Sequence, residues 1–213
     1  MKIVIPGGSG QVGTILARGF HEEGHEVVVL SRSPQRLPWR VVEWDGESLG
    51  AWVEELEGSD VVINLAGRIV NCRYNFKNRC DIWSSRTRSV RILGKALEQL
   101  ASPPAVWLQA GTATVYAHRF DAANDEYTGI IGGTESKSPD KWRFSIDVAR
   151  AWEGEFSLIN ASKTRKVLLR SAMTMSHDRG GFLTTCFGSF GTALAGLQRQ
   201  GVSLSRGFTT KIL

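Results

Sequence analysis

Three glycines spaced three residues apart constrain the fold of this chain more than any other feature of its sequence. Gly7, Gly10 and Gly13 follow the β-branched run Lys2–Ile5 and open a segment whose apolar residues recur at helical spacing, Val12, Ile15, Leu16 and Phe20. Glycine accepts backbone angles that other residues avoid, so the chain can turn sharply at this point. The pattern predicts a buried strand, a tight turn and a helix that ends near Gly24.

Apolar runs and amphipathic segments alternate along the rest of the chain. Further strands are predicted at Glu26–Leu30, Arg40–Trp44, Asp60–Gly67, Ala105–Ala113 and Lys166–Met173. Further helices are predicted at Ser48–Gly58, at about Lys77–Leu100 and at Asp147–Phe156. Strands that alternate with helices indicate an α/β fold, a doubly wound parallel sheet of the Rossmann type that is covered on both faces.

The composition is that of an ordinary globular domain. The chain has 213 residues, of which 42% are hydrophobic and 22% are charged. No apolar run approaches the ~20 residues that a membrane helix needs, and a glycine turn interrupts the N-terminal apolar run too early for a signal peptide. We therefore expect a cytoplasmic protein without a membrane partner.

Neither the charge nor the cysteines indicate a nucleic-acid or metal partner. The formal net charge is +5, but the arginines are scattered and no recognition motif accompanies them, so we expect no nucleic-acid partner. The three cysteines, Cys72, Cys80 and Cys186, are odd in number and fit no zinc spacing. They are predicted to be reduced thiols, and no metal site is predicted.

The glycine-rich turn has the features of a dinucleotide site. The first glycine allows the tight turn, the second lets a pyrophosphate approach the backbone, and the third lets helix and strand pack closely. The start of the helix offers unpaired N–H groups and a partial positive charge to the phosphates. The predicted cofactor-binding residues of this turn are Gly7, Gly8, Ser9, Gly10, Gln11, Val12 and Gly13. A purely structural turn is the alternative, because any strand-to-helix turn accommodates glycine.

The end of the second predicted strand bears on the choice of dinucleotide. NAD sites usually place Asp or Glu there to bind the ribose 2′-hydroxyl, whereas this chain has Ser31 and Arg32. An arginine can pair with a 2′-phosphate, which a carboxylate would repel. The two residues therefore favour NADP over NAD, with NAD as the second choice. Alternatively, Arg32 is a solvated loop cation.

The motifs GGSGQVG, DVVINLAG and AGTATVYA together resemble the extended short-chain dehydrogenase/reductase family. They look like its cofactor loop, its strand-four motif and its strand-five motif. The segments VINLAG, SSRTRS, GTATVY, RAWE and LLRSAM follow the order of an atypical epimerase-like branch, the sugar-nucleotide-epimerase-like proteins, whose activity is unsettled. The resemblance covers about residues 1–181.

The resemblance also implies roles for residues outside the glycine turn. Asp45 would lie near the adenine of the cofactor. The other positions implied to bind the cofactor, of which the first three line its middle, are Leu65, Ala66, Gly67, Ala110 and Gly111. Thr112 matches the family's catalytic Ser/Thr and could bond a substrate oxygen or orient a proton donor. Alternatively, Thr112 satisfies backbone groups at the end of the strand.

The chain departs from the family at its proton-transfer residues. Typical members carry Tyr-x-x-x-Lys on the next helix, but here Phe144 matches the tyrosine and Val148 the lysine. Phenylalanine cannot transfer a proton, and valine cannot lower the pKa of a neighbour. Either other groups move the proton, with Thr112 and Asp147 as candidates, or the protein binds the cofactor without ordinary turnover. Asp147 is also expected as a plain carboxylate on the surface of the helix.

The segment after Gly181 does not resemble the family, whose sequence continues into a longer substrate-binding lobe. It contains no acidic residue and shows poor periodicity. With permitted codon choices, reading the tail from Leu183 one reading frame away gives a sequence that resembles the family's own continuation. One hypothesis is therefore a frameshift near Gly181, which divides the chain into a cofactor domain, 1–181, and an irregular tail, 182–213. The rival is a genuine short variant, and the gene's nucleotide sequence distinguishes the two.

Two functions remain open at this point. The first is an NADP(H)-dependent oxidoreductase or epimerase-like enzyme that acts on a small polar or nucleotide-linked substrate. The second is a scaffold or sensor that binds NADP(H) without catalysis, which would suit relatives that carry cell-division-associated labels. An inactive truncated product is compatible with either ancestry.

Overall fold

The part of the chain that the structure describes contains six strands and three α-helices. The strands are β1 (Lys2–Pro6), β2 (Glu26–Ser31), β3 (Arg40–Glu43), β4 (Val61–Asn64), β5 (Val106–Thr112) and β6 (Arg165–Ser171). The α-helices are α1 (Gln11–Glu22), α2 (Phe76–Leu97) and α3 (Asp140–Leu158). Every strand predicted from the sequence is present, with ends that differ by a few residues.

The computed structural model describes residues 1–119, 121–135 and 139–172, together with Thr174 and Ser176. All six strands and three helices belong to one unit, Met1–Ala172. The predicted domain boundary at Gly181, the tail 182–213 and Cys186 lie outside the described residues.

The six strands form one parallel sheet in the order β3-β2-β1-β4-β5-β6. The first strand pairs with β2 on one side and with β4 on the other, so that Ile3 lies opposite both Val27 and Val61. Chain order therefore reverses beside β1, which makes the carboxyl end of β1 the place where an open α/β sheet forms a crevice. The predicted doubly wound parallel sheet is confirmed.

Alternate residues of the central strands face opposite sides of the sheet, and each side has its own core. Ile3, Ile5, Val27, Val29 and Ile63 pack on one side with Ala17 of α1. The other side combines Val4, Val28, Val62 and Trp107 with residues of α2 and α3 that include Val90, Leu93, Trp152 and Phe156. A buried strand must be apolar on both faces, which explains the continuous apolar runs of the sequence.

Two predicted helices differ from the observed ones. The segment predicted as a helix at Ser48–Gly58 is a 3₁₀ helix at Ala51–Glu55, in which Val53 N–H donates to Gly50 O at 3.1 Å. The 3₁₀ helix continues with a bond from Leu56 N–H to Val53 O at 3.0 Å, and Leu49 stays 41% exposed instead of joining Trp52 in the core. The third α-helix begins at Asp140, seven residues before the predicted start at Asp147.

The close packing of α1 on the glycine turn requires Gly13 to lack a side chain. A Cβ on Gly13 would lie 2.4 Å from Gly8 Cα, a distance that folded proteins do not tolerate. Gly7 adopts φ +76°, and a Cβ there would lie 2.7 Å from Ala66 Cα. The glycine turn therefore holds α1, β1 and the segment after β4 in mutual contact.

We predict that Gly13→Ala lowers the free energy of unfolding by about 1–3 kcal/mol, because the added methyl group overpacks the turn. The matched control is Gly19→Ala in the same helix, where an added Cβ meets nothing within 4 Å. This control should be neutral or more stable by up to ~1 kcal/mol, as for glycine replaced by alanine inside a helix. Urea denaturation, monitored by circular dichroism, measures the free energy of unfolding of both variants. Equal stability of the two variants would contradict the packing argument.

Candidate functional site

A cavity of about 500 Å³ lies at the carboxyl end of β1, where the strand order reverses. It is bordered by the glycine turn, the end of β2, the segments that follow β3 and β4, and one face of α2. Nine of the residues predicted to bind a cofactor line it, namely Gly7, Ser9, Gly10, Ser31, Arg32, Asp45, Leu65, Ala66 and Gly67. Residues from distant parts of the sequence therefore meet in one crevice, as the sheet topology requires.

The start of α1 leaves backbone N–H groups without partners. Gly10 is the N-cap of α1 and has an extended backbone, and no side chain caps the helix. Within the described residues, no acceptor bonds the N–H groups of Gln11, Val12 or Gly13. These donors and the partial positive charge of the helix form an anion-binding terminus beside the cavity.

The space above the second glycine is open, in contrast to the space around the others. A Cβ on Gly10 would approach only Gly7 O, at 3.5 Å, whereas Cβ atoms on Gly7, Gly8 or Gly13 would lie within 3.0 Å of other protein atoms. The first and third glycines are thus required by the packing of the protein itself. Gly10 instead presents bare backbone to the cavity.

The end of β2 places a hydroxyl pair and a cation at the rim of the cavity. The Ser31 hydroxyl is buried and donates to Ser9 Oγ at 2.9 Å, which links β2 to the glycine turn. Arg32 follows at an exposed position and forms no ion pair or hydrogen bond with the described residues. Its guanidinium is therefore available to an anionic group in the cavity.

The opposite rim carries Asp45, whose carboxylate is engaged in its own turn. Its Oδ1 accepts hydrogen bonds from the backbone N–H of Glu47, at 2.8 Å, and of Ser48, at 2.9 Å. These bonds lower the pKa of Asp45 below its ordinary value, so the carboxylate is ionised at neutral pH. Arg88 of α2 pairs with Glu47 at 2.8 Å and ties the same turn to the helix.

One side of the cavity was not predicted from the sequence. Arg68, Asp81, Ser84 and Ser85 line it from α2 and the segment before α2, and Trp44 lines it after β3. Asp81, Ser84 and Ser85 recur at the spacing that brings helical residues onto one face. That spacing, from Asp81 to the first two residues of the SSRTRS segment, was an available signal, but polar residues on a helix face usually contact only water.

The last three predicted site residues lie at the end of β5 and do not line this cavity among the residues that the structure describes. Ala110 and Gly111 are inside the strand, and Thr112 is the N-cap of the 3₁₀ helix Ala113–Val115. The Thr112 hydroxyl accepts from Thr114 N–H at 3.2 Å and contacts Thr114 Oγ1 at 3.0 Å. The alternative interpretation of Thr112, a hydroxyl that satisfies a backbone group, therefore has a concrete geometry.

A second, larger cavity of about 1170 Å³ begins immediately after Thr112. Its described lining includes Tyr116 from the segment after β5 and Arg170 from β6. Arg170 donates two hydrogen bonds to the Glu153 carboxylate, at 2.9 and 2.8 Å, and one to the Tyr116 hydroxyl at 2.7 Å. The pair with Glu153 raises the pKa of Arg170 above its ordinary value, so this cation is permanent.

The positions of the family's tyrosine and lysine have no proton-transfer group in this chain. The Phe144 ring packs edge-on against Tyr74, with ring centroids 5.7 Å apart, and the Arg79 guanidinium lies 4.8 Å from its centroid. Val148 is buried in α3 with 5% exposure, while its neighbour Asp147 is exposed. An ammonium group at position 148 would thus enter an apolar environment.

We predict that Val148→Lys lowers the free energy of unfolding by about 3–5 kcal/mol, because it buries a charge without a partner. The adjacent control Asp147→Lys, at an exposed position of the same helix, should change it by no more than ~0.5 kcal/mol. Thermal and urea denaturation compare the two variants. A stable Val148→Lys protein would mean that this position can hold the family's lysine.

The described cysteines are unpaired, and none of the cavity-lining residues named above is a cysteine. Cys72 and Cys80 are free thiols. Among the residues that the structure describes, no group of His, Cys, Asp and Glu side chains could hold a metal ion. In the same part of the chain, each helix is too short or too polar to cross a membrane.

Known proteins resemble this chain in sequence over most of its length. The chain is 30% identical over 183 residues to the human epimerase family protein SDR39U1, which covers 84% of this chain and 57% of the human protein. It is 29% identical to the mouse protein of the same name, with the same coverage, and 28% identical to Bacillus subtilis YfhF over 80% of this chain. The chain therefore spans about 57% of the length of these first relatives.

Solved structures of other proteins are similar in fold to this chain. The human SDR39U1 isoform 2 structure, determined with NADPH, superposes with a TM-score of 0.74 at 26% identity and covers 91% of this chain and 61% of that one. A nucleoside-diphosphate sugar epimerase from Corynebacterium glutamicum superposes with a TM-score of 0.61 at 24% identity, over 96% of this chain and 39% of that one. The second likeness concerns the fold alone.

The family match rests on the segment that builds the first cavity. Residues 3–135 match the family described as the NAD dependent epimerase/dehydratase family. This range begins in β1, includes the glycine turn and ends at residue 135, between β5 and α3. The resemblance found in the sequence motifs is confirmed, and the chain belongs to the NAD dependent epimerase/dehydratase family.

Proposed function

We propose that this chain binds NADP(H) in the cavity at the carboxyl end of β1. The observation that carries the proposal is the uncapped start of α1 beside the open backbone of Gly10, a combination suited to a pyrophosphate. Arg32, which has no described partner, would pair with the 2′-phosphate, and the hydroxyls of Ser9 and Ser31 would face the ribose. NAD is the second choice, since several relatives in fold were solved with NAD.

The lining residues are compatible with such a dinucleotide. By the family resemblance, Asp45 would lie near the adenine, with Trp44 beside it, and Leu65, Ala66 and Gly67 would border the middle of the cofactor; all five line the cavity. When bound, NADP(H) supplies hydride transfer. The protein would contribute N–H groups, a cation at the rim and a mostly polar lining, all of which act on binding and orientation.

The proposed reaction is an oxidoreductase or epimerase-like conversion of a small polar or nucleotide-linked substrate. The substrate would occupy the second cavity, beside Thr112, where Tyr116 and Arg170 offer a hydroxyl and a fixed cation. Thr112 could donate a hydrogen bond to a substrate oxygen if that oxygen replaces Thr114 Oγ1 as the acceptor. Because the chain spans little more than half of its relatives, the substrate and the activity belong to this proposal and rest on the family resemblance.

A second candidate function is a scaffold or sensor that binds NADP(H) without turnover. Phe144 and Val148 favour it, because neither side chain can replace the tyrosine and lysine that move the proton in typical members. The cytoplasmic localisation expected from the sequence stays a prediction under both candidates. Tight NADPH binding without oxidation across a panel of sugar nucleotides would favour the scaffold.

We predict that Gly10→Ala weakens NADPH binding at least tenfold, because the methyl group would occupy the space of the pyrophosphate and break charge-assisted hydrogen bonds worth about 1.5–3 kcal/mol. The free energy of unfolding of the variant should stay within ~1 kcal/mol of the parent value, since the added Cβ meets only Gly7 O, at 3.5 Å. Fluorescence titration with NADPH and urea denaturation measure the two effects. Unchanged affinity would place the phosphates elsewhere, and Gly19→Ala serves as the control that leaves binding intact.

We predict that Arg32→Ala weakens NADPH binding by roughly 10- to 100-fold while NADH affinity changes by less than about threefold. The control is Arg36→Ala, which removes an exposed arginine of the same loop that does not line the cavity. Competition titrations with both nucleotides give the ratio of the NADPH and NADH affinities for each variant. Equal losses for NADPH and NADH would contradict a phosphate-binding role for Arg32.

A further inference from the structure

Arg86 of α2 is a partly buried cation whose hydrogen bonds go to backbone carbonyls. Its Nη1 donates to Ile82 O at 3.0 Å, and its Nη2 donates to Arg68 O at 3.2 Å. The guanidinium also lies 5.3 Å from the centroid of the Trp152 ring. Burial lowers the pKa of Arg86 from its ordinary value.

Two other arginines of the same helix have carboxylate partners, whereas Arg79 contacts Tyr74 O and the Phe144 ring. Arg88 pairs with Glu47 at 2.8 Å, and Arg91 pairs with Glu155. Within the described residues Arg86 has no carboxylate within 4.0 Å, although its environment is more apolar. A cation held in such a place without a counter-ion costs free energy, so its retention calls for a role beyond the packing of the helix.

The segment that Arg86 contacts follows β4 and borders the first cavity. Almost every backbone N–H group in this segment has a partner: Leu65 donates to Pro6 O at 2.8 Å, Ala66 to Asn64 Oδ1 at 3.1 Å and Arg68 to Ser85 Oγ at 2.9 Å. The amide of Gly67 has no acceptor among the described residues, and Gly67 is exposed and lines the cavity.

Arg86 lies close to the backbone of this segment. A Cβ on Gly67 would be 3.2 Å from Arg86 Cζ, which places the guanidinium beside the Gly67 backbone. The hydrogen bond to Arg68 O fixes the following peptide at the same time. One side chain thus helps to set the position of the segment and places a positive charge beside it.

We propose that Arg86 is a positioning residue for an anionic, phosphate-bearing ligand of the first cavity. It holds Gly67 and Arg68 so that the Gly67 N–H remains available to the ligand, and its charge, which has no carboxylate partner among the described residues, offsets the negative charge of the phosphates from its place beside the Gly67 backbone. This role rests on the proposed binding of NADP(H). No residue of α2 was assigned to the site from the sequence.

The test compares two variants that separate charge from hydrogen bonding. Arg86→Lys keeps the charge on a long side chain, while Arg86→Gln removes the charge and keeps only a shorter donor; Arg91→Gln, at an ion-paired position further along α2, is the control. NADPH affinity is measured by fluorescence titration and stability by thermal denaturation. We expect Arg86→Gln to weaken NADPH about tenfold or more, Arg86→Lys to stay within about threefold of the parent, and Arg91→Gln to bind normally.

The rescue by lysine is the result that a merely structural role would not give. If Arg86→Lys and Arg86→Gln lose affinity equally, or if neither loses affinity, the proposal is overturned. Failure of the unaltered chain to bind NADPH would instead refute the proposed function itself. Should both variants fail to fold, Gly67→Ala is the second test: its methyl group would lie 3.2 Å from Arg86 Cζ, so this contact must shift by a few tenths of an ångström. A loss of at least about threefold is expected, and unchanged binding overturns the proposal.

Discussion

The close approach of α1 to the glycine turn is the contact on which the rest of this structure depends. Because Gly13 has no side chain, the first turn of α1 lies against the Gly8 backbone, and its N–H groups meet the crevice beside β1. The same turn contacts Ala66 after β4, so the two halves of the sheet join at this point. A helix start that no side chain caps is stable when water or a ligand takes its donors.

The structure has two cavities, one beside β1 and one after β5. The crevice beside β1 combines the exposed Gly67 and Arg32, which has no partner among the described residues, with the cation Arg86 close to Gly67. The cavity after β5 begins next to Thr112 and is lined by Tyr116 and Arg170, which is fixed by Glu153. At the positions that match the family's tyrosine and lysine, Phe144 and Val148 carry no proton-transfer group, so the proposals on cofactor binding and on turnover need separate tests.

The sequence predicted the parts of the fold that local patterns determine. Apolar runs such as Val27–Leu30 must be buried on both faces, and glycine spacing marks the turn into α1, so the parallel sheet and the first side of the crevice followed. The helix predicted at Ser48–Gly58 is a shorter 3₁₀ helix at Ala51–Glu55, and Leu49 of its apolar face stays exposed. Ser85 and Arg86 were missed, since only tertiary packing brings this face of α2 to the segment after β4.

The central claim is that the first N–H groups of α1 bind the pyrophosphate of the dinucleotide. A ¹H–¹⁵N NMR titration of the chain with NADPH tests it most directly, because each backbone amide reports its own hydrogen bonding. We expect the largest saturable shifts at Gly10, Gln11, Val12 and Gly13, with Gly24 at the far end of α1 unchanged. Saturable binding that shifts amides elsewhere and leaves these four unmoved would contradict the account.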